Sequence, residues 1–178
     1  MKRYRMGLCA MAMLALTLGG CGSGGMELVV DGFAREFSPQ AAFVTANSSG
    51  GHSIQIVNYP VTMGETYDYE KIRATQNGQY RVDLSLVKES ASEKRPLLPG
   101  EYLPQPNNQT PRDKLVRVTI YGGVEGTEQR LAELDYSAEL KGALNILSVD
   151  GETARVRIEA QGGNLTSVAG EFQARLLR

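Results

Sequence analysis

Histidine occurs once in these 178 residues, as His52, and cysteine only twice, as Cys9 and Cys21. A Ser-His-Asp arrangement would have to use that one imidazole, yet there is no G-x-S-x-G elbow and nothing in the pattern brings a nucleophilic serine to it. His52 follows Gly50-Gly51 at the start of a strand pattern and reads as a turn-edge residue. The same scarcity leaves no imidazole set for a transition metal. Long apolar runs are missing too: the stretch from Met6 to Leu18 falls short of the roughly 20 residues a spanning helix needs. No period of about 20 to 50 residues recurs, which excludes solenoids and propellers. Charge is nearly balanced, 19 basic against 20 acidic residues. Without a basic excess, a nucleic-acid partner is not expected.

What is present begins with an export signal. Lys2, Arg3 and Arg5 precede the uncharged Met6–Leu18 run, the order expected of a signal peptide over residues 1–20. Leu18-Gly19-Gly20-Cys21 follows and resembles the bacterial lipobox, with Leu three residues before Cys and two small residues between. The resemblance implies a bacterial lipoprotein: the Cys21 thiol takes a diacylglyceryl group, the signal is cut just before it, and the new amino terminus is acylated. Two or three acyl chains, each CH₂ worth about 0.8 kcal/mol on burial, make such an anchor stable where one would be marginal. Gly22 stands where enterobacterial inner-membrane lipoproteins resemble one another in carrying Asp, so the outer membrane is the expected address in a two-membrane cell, facing the periplasm or the cell surface. Residues 21–25 form a short uncharged tether, and residues 26–178 are the expected single domain.

On this reading the folded part has no thiol, because Cys9 leaves with the signal and Cys21 carries lipid. A disulfide framework, a thiolate zinc site and a cysteine nucleophile are then excluded. Loss of the leader's three basic residues leaves sixteen basic against twenty acidic, about minus four.

The domain pattern is one of strands and turns. In Thr153–Ala160, Ala154, Val156, Ile158 and Ala160 alternate with Arg155, Arg157 and Glu159, as a half-buried antiparallel strand requires. Asp150-Gly151 predicts a type I′ turn joining it to a strand over Ala143–Val149. After Gln161-Gly162-Gly163-Asn164, Val168, Phe172, Ala174 and Leu176 face inward on a third strand, completing a meander. Tyr80, Val82, Leu84 and Leu86 alternate with Arg81, Asp83 and Ser85, and Val116, Val118 and Ile120 with Arg117 and Thr119. Phe43–Ala46 and Ser53–Tyr59 predict a hairpin, as does Val29-Val30-Asp31-Gly32-Phe33. Arg130–Lys141 alternates like a strand but is composed like a helix; strand is favoured. The fold class is therefore all-β, an antiparallel sandwich or barrel-like domain. Pro99-Gly100-Glu101-Tyr102, the Gly142-x-Leu144-x-Ile146-x-x-Val149-Asp150-Gly151 stretch and Val168-x-Gly170-x-Phe172-x-Ala174-x-Leu176 resemble secreted and lipid-anchored bacterial β-domains of unknown function, which supports the fold and implies no activity.

Two segments are candidates for contact. Glu65-Thr66-Tyr67-Asp68-Tyr69-Glu70 is the densest acidic stretch; it lacks the ligand spacing of a calcium loop, but Tyr67 and Tyr69 alternate as a sugar platform on a strand would, or as rings packed on neighbours. Glu89–Asp113 holds five of the seven prolines, which excludes a central strand and predicts a long irregular excursion. Its Leu97, Leu98, Tyr102 and Leu103 are candidate partner contacts, or a lid sealing the sheet end. The expected role is a non-enzymatic binding module for another envelope protein or a surface polymer, with no cofactor and no metal. A lipocalin-like carrier and a carboxylate-dependent hydrolase are the alternatives.

Overall fold

The computed structural model describes residues 25–47, 51–87, 96–104, 114–135 and 139–177. The signal, Cys21 and most of the tether, Ser48 to Gly50, and much of the Pro-rich excursion lie outside the described residues. The strands are β1 (Met26–Val30), β2 (Phe33–Arg35), β3 (Ala41–Ala46), β4 (His52–Val57), β5 (Tyr80–Val87), β6 (Gly100–Tyr102), β7 (Lys114–Val124), β8 (Thr127–Asp135), β9 (Lys141–Asp150), β10 (Thr153–Gln161) and β11 (Ser167–Leu176). One 3₁₀ turn spans Tyr69–Ile72.

All the strands belong to one curled sheet, a half-barrel, ordered β6-β9-β10-β11-β3-β4-β5-β7-β8, with the β1–β2 hairpin attached to β11. The all-β expectation holds, and so does the meander β9-β10-β11. The sheet is mixed, because β11 meets β3 in parallel through Arg175↔Phe43 and Leu176↔Val44. On the concave side, alternate residues of the strands pack into one core that includes Leu28, Ile54, Leu84, Ile120, Leu144, Val156 and Phe172. Alternation places them there because side chains on a strand change face at every residue.

Several local expectations are corrected. The β9–β10 loop is Gly151-Glu152, not Asp150-Gly151: Asp150 still pairs with Thr153, and only Gly151 has positive φ, +52°, as the first position of a II′ turn allows. Type I′ geometry is found instead at Asp31-Gly32, with φ of 52° and 81°, and at Glu125-Gly126, with 50° and 84°. Val116 is not an inward residue, because a bulge opposite Ser85/Leu86 puts Leu115 into the core in its place. The strand foreseen over Arg130–Lys141 ends at Asp135; Tyr136 to Ala138 are outside the described residues, and Glu139 turns the chain with φ 55°. The Pro-rich excursion is not wholly irregular, since Gly100–Tyr102 is an edge strand on β9. His52 opens β4 as expected for a strand start but is buried, on the same side as Ile54 and Ile56.

The convex side of β3-β4-β5-β7 is also covered. The β4–β5 connection folds back over it, packing Met63 and Ile72 against Phe43, and Tyr59 and Ala74 against Val57. Its base is pinned by Asn58, which accepts from Tyr80 N at 2.7 Å and donates to Gly78 O at 2.9 Å. Gln79 Oε1 accepts from Thr75 N and Gln76 N, both at 3.0 Å. Gly123 admits the close approach: a Cβ there would lie 2.2 Å from Gln76 O.

Candidate functional site

The convex cover encloses a set of interacting ionisable groups. Arg81 stands on β5 opposite Tyr121 on β7 and Val57 on β4, at a position whose alternation points away from the core. Sequence alternation makes it a solvated residue; the cover leaves its side chain 1% exposed. Its Nε lies 3.0 Å from Asp83 Oδ1 and its Nη1 2.9 Å from Glu128 Oε1. Neither N–H is aligned as a hydrogen bond, so both contacts are ion pairs. The guanidinium is stacked by Tyr121 at 4.2 Å and Tyr69 at 4.9 Å. Glu128 ties this centre to the cover, accepting from Ala74 N and from the Tyr69 hydroxyl, each at 2.8 Å. Tyr59 donates its hydroxyl to Ile72 O on the same cover.

Burial governs the protonation of these groups. It pushes the Asp83 carboxyl up to about 6, against the pull of Arg81 and with the push of Glu128. Burial likewise raises Tyr67 to about 12 and raises Tyr59 and Tyr121. Asp83 and Glu128 do converge, as a carboxylate hydrolase would need, but they converge on a cation that pairs with both. Tyr67 and Tyr69 are not on a strand face: Tyr67 packs within the cover, and Tyr69 begins the 3₁₀ turn with its ring over Arg81. No signal in the sequence separated Arg81 from an ordinary solvated arginine. The pair Gly122-Gly123 inside a strand was the one hint that backbone passes close to this face.

The second candidate surface surrounds β6. Leu97 and Tyr102, offered by sequence as partner contacts, are 3% and 0% exposed and belong to the core, so their role is to seal the sheet. Leu98 and Leu103 are exposed, at 49% and 39%. The Tyr102 hydroxyl donates to Leu98 O at 3.4 Å, and Leu115 N donates to Leu103 O at 3.2 Å, which fixes the backbone of both. Leu147 is 38% exposed at the β9 bulge opposite Arg155/Val156, and Gly100 lies opposite its neighbour Ile146. Continuing the alternation of Leu144 and Ile146 places Leu147 outward, and the bulge then brings Val149 back to the core side.

Comparison with family models, curated proteins and solved structures returns no match. A functional reading therefore rests on these two surfaces and on the sequence of residues 1–25.

Proposed function

We propose that the chain is a bacterial lipoprotein anchored through Cys21 in the cell envelope, at the outer membrane where there is one, and that it works as a non-enzymatic binding module through the β6 edge. The observation that carries this reading is the division of labour in one short segment. Leu97 and Tyr102 are core residues, while Leu98 and Leu103 beside them stay exposed. Apolar side chains held on a fixed backbone lose little entropy on binding. Leu147, beside the Ile146 that pairs with Gly100, adds a further exposed apolar side chain on the neighbouring strand, and such side chains suit contact with another envelope protein. The pairing of Asp83 and Glu128 with Arg81 supports a structural role for those acids over hydrolysis. The packed concave core supports binding on the outside over carriage of a small ligand within.

The contact is tested by crosslinking in intact cells with Leu98→Ser/Leu103→Ser. Capture of the partner should fall at least about tenfold while the melting temperature stays within about 2 °C, because neither side chain is in the core. Undiminished capture would remove the β6 edge from the proposal. The anchor has its own test: labelled palmitate should enter the wild type and not Cys21→Ser, which should leave the membrane fraction. Equal labelling of the two would refute the lipoprotein reading.

A further inference from the structure

Among the described residues, the two most exposed large apolar side chains, Leu165 at 74% and Phe33 at 68%, stand together at one tip of the molecule. They belong to two different turns. Phe33 leaves the Asp31-Gly32 turn of the β1–β2 hairpin, and Leu165 sits in the β10–β11 connection. The turns are fastened by Gly32 N donating to Leu165 O at 3.0 Å, Asp31 N to Thr166 Oγ1 at 3.1 Å, and Asn164 Nδ2 to Asp31 Oδ1 at 3.0 Å. The Leu165 side chain lies over the hairpin turn, since a Cβ on Gly32 would be 3.5 Å from Leu165 Cδ1. Leu165 also has φ +58°, a left-handed conformation suited to Gly or Asn. A β10–β11 turn built only for stability would put a small polar residue there. A strained leucine with its side chain in water is unfavourable twice over in the free domain, and an observed outlier of this kind points to function.

We propose that this tip is a membrane contact, with Phe33 and Leu165 entering the interface of the same bilayer that holds Cys21. The inference rests on the lipoprotein reading. Three residues lie between Cys21 and Gly25, four chain steps with a reach of at most about 14 Å, and Met26 opens the strand that ends at the tip. β1 is five residues long, about 16 Å, comparable with that tether, so the hairpin can lie against the bilayer while Cys21 stays in it. Once the anchor confines the domain, the apolar tip meets the membrane without a further loss of translational freedom. A Phe and a Leu leaving water together then favour the tip-down orientation on the order of a hundredfold.

The mature acylated chain carries no other cysteine, so a single introduced thiol reports one position. Leu165→Cys and, on the exposed β8 edge, Gln129→Cys are labelled with a polarity-sensitive fluorophore. Each full-length acylated chain is placed in phosphatidylethanolamine/phosphatidylglycerol vesicles that contain brominated acyl chains. The label at 165 should be quenched at least threefold more than the label at 129, and Phe33→Ser in the same chain should reduce that quenching. Vesicles that float with the protein yet quench both labels equally overturn the tip and leave the anchor standing. Protein that fails to float overturns the anchor, and the tip with it. Shielding of position 165 from aqueous iodide only when another envelope protein is added would assign the tip to a protein partner and overturn the membrane contact.

Discussion

Arg81 is buried without a single dominant partner: two carboxylates and two tyrosine rings share it. Taking a guanidinium out of water is costly, and leaving its carboxylates behind without it costs more than the pair contributes. Arg81→Ala should therefore lower stability by about 3–5 kcal/mol in urea unfolding. Glu133→Ala, which removes the partner of exposed Arg130, should change it by less than about 0.5 kcal/mol. Asp83 adds a pH signature. Its folded value near 6 lies above the ordinary 3.8, so between about pH 4 and 6 the folded chain holds a proton that the unfolded chain has lost. Stability from this group is greatest below that window and falls as pH rises through it. Relative to Asp83→Asn, the wild-type melting temperature should rise as pH drops from about 6 to about 4; a difference constant across the window would show that Asp83 titrates normally. Leu165 is the opposite kind of residue, strained and exposed. Leu165→Asn should raise stability by about 1 kcal/mol, or about 2–4 °C, because Asn accepts the left-handed backbone.

At the scale of elements, the β4–β5 connection decides which side chains of the convex face are wet. It is closely seated at Gly123, whose N donates to Gln79 O at 3.0 Å and which bridges to Asn77. Gly123→Val would drive a side chain into the Gln76 backbone, so the cover should lift: limited proteolysis is expected to cut within residues 58–79 before any other segment. Cleavage elsewhere first would show that the cover is held independently of that approach. The same element explains how far the sequence could be read. Alternation in β5, β10 and β11 identified the inward residues Val82, Leu84, Val156, Ile158, Val168 and Phe172, because those strands are regular and one of their faces is the core. It misplaced Arg81 because a period of two reports that a face is the second face, not whether an aperiodic loop lies on it. Val116 was misplaced at a bulge, where the period shifts by one residue. In the described part of the Pro-rich segment, 96–104, the strand that forms is β6, at the end of the sheet. The split between buried Leu97 and Tyr102 and exposed Leu98 and Leu103 depends on pairing with β9, which lies forty residues away.

For the molecule as a whole, the critical joint is between β11 and β3. One part of the sheet, β6 with β9–β11, meets the other, β3-β4-β5-β7-β8, here through two Cα pairs and the bond from Leu177 N to Val44 O at 2.8 Å, and at the far end through the single bridge from Leu103, just after β6, to Lys114 on β7. So short a parallel ladder is weak by itself. Two things reinforce it. The core is continuous beneath both parts, with Val44 and Ala174 in the same cluster. Above it, Arg175 donates to Met63 O and Gly64 O on the cover, with its guanidinium 5.7 Å from the Phe43 ring. The shared core couples the two parts in unfolding, while Arg175 governs only how often the joint opens. Heat unfolding of the wild type should thus be one transition. In Arg175→Ala it should stay one transition, with amide exchange accelerated about tenfold at Leu177, the amide that crosses the joint, and unchanged at Ile158 in the centre of the meander. Two separate transitions in the wild type would mean that the parts are independent units, and equal acceleration at Leu177 and Ile158 would mean that Arg175 supports the whole fold rather than its seam.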